Sequence, residues 1–354
     1  MNRYLIALLT AFFVFINGCK DQGTNITKTI ENKMYVYSNS GNTFYLMDYK
    51  TFEVAREIHL NIADTISCDG MALSTNRDYL FFGAQGLFPN PPSGFVIYDI
   101  KKDKIENLFF TKLNYGIGYF ISAENKSEPG LVYVHFRDFG TYSIDLFERK
   151  VKELISDEHG FDLSKRIYQS PDGKWTVVMK NYSELEFYNA ESWLHDLQFT
   201  LNKDDRDSIS VYDLEFSKDN RLFITYQLSD GRSRDIGSYF GSYDLETKQL
   251  YRSSLKFPWS LNPYYTAYSP NRNEVYTIGT YDKLYVIDAD SYGIKGTVIL
   301  TGKITGSSQI LIIPNEEIAF VACPNNNSIF VVDLNSRQII KTIAVTKPYN
   351  MIIP

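Results

Sequence analysis

The sequence predicts an all-β fold, a seven-bladed β-propeller whose four-stranded antiparallel blades close into a ring. Three observations carry that prediction. An apolar run ending in Asp or Asn recurs seven times, at Asp48, Asp99, Asp145, Asn189, Asp244, Asp288 and Asp333, at intervals of 51, 46, 44, 55, 44 and 45 residues. Each run follows another β-rich segment and precedes a third, bounded by Asn, Asp, Gly and Ser clusters, and no long stretch of helical period competes. The last residues also fit an inner strand, while the first repeat opens where a second strand should begin. Four strands in about 45 residues is the period of a propeller blade.

In chain order, the first eighteen residues read as an address. Met1-Asn-Arg3 is a short positive segment, and Tyr4 to Ile16 is almost wholly apolar. That stretch is too short to span a bilayer and long enough for a signal peptide. Ile16-Asn17-Gly18-Cys19 follows, and its apolar residue at −3 and small residue at −1 before a Cys resemble a bacterial lipobox. The resemblance implies a lipoprotein signal peptide over 1–18, cleavage after Gly18, and acylation of Cys19. Residues 19–32 are then the lipidated Cys and a tether, and several acyl chains together anchor stably. Lys20 differs from the Asp that retains lipoproteins in the inner membrane of enteric bacteria, and Lys20-Asp21 resembles the surface-export signals of Bacteroidota lipoproteins. The expected address is the outer membrane, on its periplasmic or cell-surface face.

Residues 33–354 hold the repeats. The runs are Phe44–Asp48, Phe95–Asp99, Thr141–Asp145, Leu185–Asn189, Phe240–Asp244, Leu284–Asp288 and Ile329–Asp333. Ahead of them lie Met34–Ser38, Tyr79–Gly83, Val132–His135, Thr176–Met179, Leu222–Thr225, Val275–Ile278 and Phe320–Cys323. Outer strands follow at, for example, Val54–Leu60, Ile105–Phe110, Lys295–Leu300 and Gln338–Val345. Tyr35-Val-Tyr-Ser38 and Val275-Tyr-Thr-Ile278 each stand five residues before the next run, a gap that blades 3, 4 and 7 keep. This pattern resembles the Tyr-Val-Thr-Asn (YVTN) repeat of seven-bladed propellers in bacterial and archaeal surface and secreted proteins. No blade spells the tetrapeptide in full, so the resemblance is to the superfamily. Ser170-Pro-Asp-Gly-Lys-Trp175 looks like the A–B turn of related repeats, with Asp172-Gly173 in a tight turn and Trp175 in the core.

Ring closure is predicted from the two ends. Inner strands of blades 4, 6 and 7 run into Pro171, Pro270 and Pro314, and Met351-Ile-Ile-Pro354 matches them. Residues 350–354 should therefore supply the inner strand of the blade whose other strands come from residues 33–60, which leaves no gap between blades for local unfolding to start from.

The strand order puts B–C loops and D-to-A connections on one face, and that face carries the insertions. Blade 2 has Ala84–Gly94, blade 5 has Tyr226–Tyr239, and the blade 5–6 connection 257–265 is rich in aromatics. Long loops on a rigid scaffold are where binding usually resides. Phe88, Trp259, Tyr264, Tyr265 and Tyr281 are candidates to stack on a sugar ring or peptide, with Arg232 and Arg234 to pair an acidic group. Against that stands the composition: 27 Tyr and 24 Phe make aromatic packing the default. Asp204, Asp205 and Asp207 form an acidic loop that can hold calcium or simply be solvated.

Other classes are excluded or unsupported. A net charge of −6 without a Lys/Arg run argues against nucleic acid. His59, His135, His159 and His195 fall in different blades without metal-ligand spacing, and no catalytic motif occurs. Cys68 and Cys323 are separated by blade 1 and read as buried small side chains rather than a disulfide. No metal or cofactor is expected, and a monomer is. The leading expectation is a lipid-anchored envelope protein binding a glycan, peptide or protein partner. The alternatives are a periplasmic propeller enzyme, lactonase- or dehydrogenase-like, and a structural subunit of an envelope assembly.

Overall fold

The computed structural model describes residues 30–38, 42–60, 66–86, 93–110, 117–122, 130–136, 140–156, 167–179, 184–190, 195–200, 208–229, 235–252, 265–278, 283–300, 309–313 and 317–354. They form seven sheets of four antiparallel strands, each in the order A–B–C–D from one edge to the other. This is a seven-bladed β-propeller. Six blades are contiguous in sequence, and the seventh joins the two ends: Pro348–Ile352 pairs with Lys33–Ser38, setting Val36 against Met351 and Tyr37 against Asn350. The predicted closure holds, with the strand beginning two residues earlier than expected. Ser38 also donates its hydroxyl hydrogen to the Thr346 carbonyl, 2.6 Å away. Apart from one 3₁₀ turn at Pro324–Asn326, no helix occurs among the described residues, and none could cross a membrane.

The recurrent Asp is explained by the C–D turn. Each sits at the end of strand C, where its Oδ1 accepts the main-chain N–H of the residues two or three positions on. Asp48 takes Lys50 and Thr51, Asp145 takes Phe147 and Glu148, and Asp244 takes Glu246 and Thr247, all between 2.8 and 3.1 Å. Asp99, Asp288 and Asp333 do the same. Asx side chains stabilise turns in this way. The N–H groups of Ser291 and Ser336 hold Asp288 and Asp333 below the ordinary carboxylate range. Four residues after each Asp the chain enters the left-handed region, at Phe52, Asp103, Arg149, Lys248, Tyr292 and Arg337.

A second device closes the A–B turns of blades 2, 4 and 5. The hydroxyls of Ser74, Ser170 and Ser217 accept the N–H of the first strand-B residue, Tyr79, Trp175 and Arg221, at 2.9–3.0 Å. Ser74 and Ser170 donate in turn to Asn76 and Asp172. Gly173, at φ 70°, turns the chain between them, as the Asp-Gly pair predicts.

The core lies between blades. Met34, Val36, Met47 and Met351 of blade 1 meet Phe320, Ile329 and Val331 of blade 7. Tyr35, Tyr37, Tyr98, Tyr243 and Tyr276 are fully buried, so tyrosine is indeed a packing residue here. Trp175 packs, partly buried, against the blade 4–5 cluster. Cys323 is a buried free thiol.

Candidate functional site

Blade 5 stands taller than its neighbours. Its strands A, B and C span Ser208–Phe216, Arg221–Ser229 and Asp235–Asp244, nine to ten residues, where blades 1, 6 and 7 use four to six. Most of the segment read from sequence as a long loop is paired: Tyr226 faces Tyr239, Gln227 faces Ser238, and Leu228 faces Gly237. The Tyr226 and Tyr239 rings stack across the strands at 5.7 Å, and Leu228 packs against the blade 4–5 cluster. Cross-strand aromatic pairs of this kind stabilise a hairpin. Ser208 pairs with Ser229, so the projection is a three-stranded tongue on the B–C face. In blade 2 likewise, strands reach Gly86 and restart at Ser93.

Of the ligand-binding candidates, Phe88, Arg232, Arg234, Trp259, Tyr264 and Tyr281 lie outside the described residues, as do Cys19, Asp204, Asp205, Asp207 and His159. Tyr265 opens the inner strand of blade 6, is partly buried, and packs against the blade 6–7 core. His135 lies in strand B of blade 3 opposite Thr141.

A polar seam that the sequence reading missed runs between the inner strands of blades 5 and 6. Val211, Leu214 and Phe216 pack into the blade 4–5 cluster, which turns Asp213 and Glu215 toward blade 6. An irregularity in pairing between Val211 and Asp213 sets that alternation. Asp213, 4% exposed, accepts the Tyr168 hydroxyl on Oδ1 at 2.9 Å and the Thr266 N–H on Oδ2 at 2.5 Å. Two residues on, Glu215 accepts the Tyr268 N–H. The inner strand of blade 6 pairs only with its own strand B. Its other edge would leave N–H groups unsatisfied, and the two carboxylates receive them in parallel register. Burial, and then the adjacent Asp213 charge, push Glu215 up to about 8. One proton is thus held in the seam at neutral pH.

A different charged cluster ties blade 6 to blade 7. Glu274, 2% exposed, accepts Arg272 Nε and Lys295 Nζ at 2.8 Å and the Tyr276 hydroxyl, with Arg337 at 3.6 Å. Burial pushes its carboxyl up, and the bonds from Lys295, Tyr276 and Arg272 more than reverse this, leaving it below the ordinary value. A Cβ at Gly296 would collide with the Arg337 guanidinium, so glycine lets that side chain cross to the Lys295 carbonyl. The cluster's partners are saturated, which marks it as bracing. Among the described residues no three of His, Cys, Asp and Glu converge on one point.

No family model matches the chain, and no curated protein does. Solved structures share the ring. Dihydro-heme d1 dehydrogenase NirN in complex with DHE superposes with TM-score 0.61 at 10% identity, over 91% of this chain and 75% of that one. The Cps50 (Swd1) β-propeller domain of Myceliophteria thermophila gives 0.59 at 12%, over 84% and 96%. Apo AztD from Citrobacter koseri gives 0.56 at 10%, over 90% and 96%. At such identities the likeness concerns the fold alone, and one fold hosts unrelated functions.

Proposed function

We propose that this protein is a lipid-anchored, non-enzymatic binding propeller of the bacterial cell envelope. The rigid ring presents its B–C face to a glycan or peptide. The single observation that carries the reading is the blade 5 tongue. A three-stranded extension braced by the stacked Tyr226 and Tyr239 flanks in sequence the segment that carries Arg232 and Arg234, and a pre-formed platform limits the ordering cost of binding. The blade 2 hairpin and the aromatic connection bearing Trp259 and Tyr264 belong to the same face by strand order. The lipobox-like Ile16–Cys19 supplies the anchor. Propellers of the YVTN type occur on bacterial surfaces, which fits that address.

The test has two arms. Palmitate labelling should be abolished by Cys19→Ser, and labelling of that variant at the wild-type level overturns the anchor. A glycan and peptide array probed with the purified chain should return ligands whose binding falls when Trp259→Ala or the double change Arg232→Ala, Arg234→Ala is made. Losses of about 2 kcal/mol or more with unchanged melting temperature are expected of an anchor residue. Binding untouched by both variants refutes this face.

A further inference from the structure

We propose that the seam between the inner strands of blades 5 and 6 is a binding site for a hard cation of the calcium class, held by the carboxylates of Asp213 and Glu215 and the hydroxyl of Thr266. The proposal is independent of the ligand taken by the B–C face.

The facing of the side chains comes from strand alternation. Leu214 and Phe216 point into the blade 4–5 cluster, so Asp213 and Glu215 face blade 6. In the opposite strand Tyr265 and Ala267 point into the blade 6–7 cluster, so Thr266 and Tyr268 face blade 5. Tyr268 confirms the alternation, since it packs with Phe223 and Phe240 of blade 5. The register is fixed by two N–H groups, Thr266 to Asp213 and Tyr268 to Glu215. The Thr266 hydroxyl therefore looks onto the two carboxylates.

Two observations then point to a ligand. Thr266 is 8% exposed, and its Oγ1 is buried with no hydrogen-bond partner. A buried hydroxyl left unpaired costs roughly 1–3 kcal/mol, so native proteins seldom leave one without use. Glu215 meets one N–H and the like charge of Asp213, and no cation faces it from any described residue of either strand. By contrast, Glu274 in the next blade is matched by three cationic side chains. Two adjacent carboxylates with an unfilled hydroxyl are an arrangement that a cation completes.

The donor set selects its class. All three groups are oxygens, without nitrogen or sulfur, which suits calcium rather than zinc or copper. Asp213 accepts the Tyr168 hydroxyl on one oxygen and the Thr266 N–H on the other, which fixes its carboxylate against the blade 6 strand. Main-chain carbonyls and water complete a shell of roughly six to eight oxygens. A cation so placed displaces the proton held on Glu215, neutralises the two carboxylates and cross-links blades 5 and 6 beneath the tongue.

The experiment strips the purified chain with EGTA and titrates CaCl2, reading heat of binding and melting temperature. One calcium per chain and a saturable rise in melting temperature are expected. Affinity should fall by about tenfold or more in Glu215→Gln and in Thr266→Val, which removes the hydroxyl at nearly constant shape. It should persist in the triple change Asp204→Asn, Asp205→Asn, Asp207→Asn. If Glu215→Gln fails to fold, Thr266→Val decides. No calcium effect on the wild type overturns the proposal, as does binding that survives both seam variants or is lost with the 204–207 change.

Discussion

Replacing Glu215 by Gln should remove a decline in stability that the wild-type chain shows between about pH 4.5 and pH 8, measured in chelator. Unfolded, the carboxyl releases its proton near 4.5; folded, burial and Asp213 hold it to about 8. The folded state thus binds more protons across that window. Its stabilisation is complete below 4.5 and is lost as pH rises through about 8. Each unit of difference is worth about 1.4 kcal/mol, which sets a ceiling near 5 kcal/mol. Glu215 is only partly buried, so solvent screening reduces this to roughly 2–4 kcal/mol. Gln keeps an oxygen for the Tyr268 N–H and offers Asp213 a donor, yet cannot ionise. Urea unfolding in a buffer series should give curves that nearly coincide at the acid end and diverge by that amount at the alkaline end, with the variant the more stable. Parallel curves refute the reasoning, because they mean that Glu215 titrates alike in both states.

Other perturbations follow from the same contacts. Glu274→Gln leaves Arg272 and Lys295 facing a neutral side chain in a buried setting and should cost about 3–5 kcal/mol in calorimetry, against near-zero for an exposed pair such as Lys248–Asp196. Met351→Ala empties a fully buried site between blades 7 and 1 and should cost roughly 2–5 kcal/mol, while deletion of 350–354 should abolish cooperative unfolding. Ser170→Ala removes the acceptor for the Trp175 N–H and should cost about 1 kcal/mol in chemical denaturation. Arg149→Gly, at an exposed left-handed position, should raise stability by up to about 1 kcal/mol.

The ring was readable because its signal is covalent and periodic. An Asp that closes a turn through its own side chain depends on neighbours two and three residues away, so its spacing survives in the sequence. The same holds for the strand at Met351, whose apolar run and following Pro repeat those of blades 4, 6 and 7. The seam was not readable as a site. Leu214 to Phe216 alternates with Asp213 and Glu215 like any half-buried strand, so nothing local marks the two acids as facing another blade. Yet an inner strand is covered on both sides by neighbouring blades, so a two-acid alternation there is anomalous, and that anomaly was the available signal. The tongue was misjudged for a different reason. The segment Tyr226–Tyr239 exceeds the five-residue gap of blades 1, 3, 4, 6 and 7 and so read as a long loop, whereas the Tyr226–Tyr239 stack that pins its ends as strands is a cross-strand contact that no local window contains.

The joint between Lys33–Ser38 and Pro348–Ile352 has a consequence for synthesis. Ser38 meets Thr346, 308 positions further along the chain, so the first strand of the ring waits for its last. Blades 2 to 7 can form as they appear, each from contiguous chain, while the inner edge of the Lys33–Ser38 strand stays bare throughout. A product cut short before residue 348 keeps that inner edge open, the kind of surface that pairs with other chains. The joint therefore ties the first blade to the ring's closing strand: only a chain extended through Ile352 covers the inner edge of Lys33–Ser38.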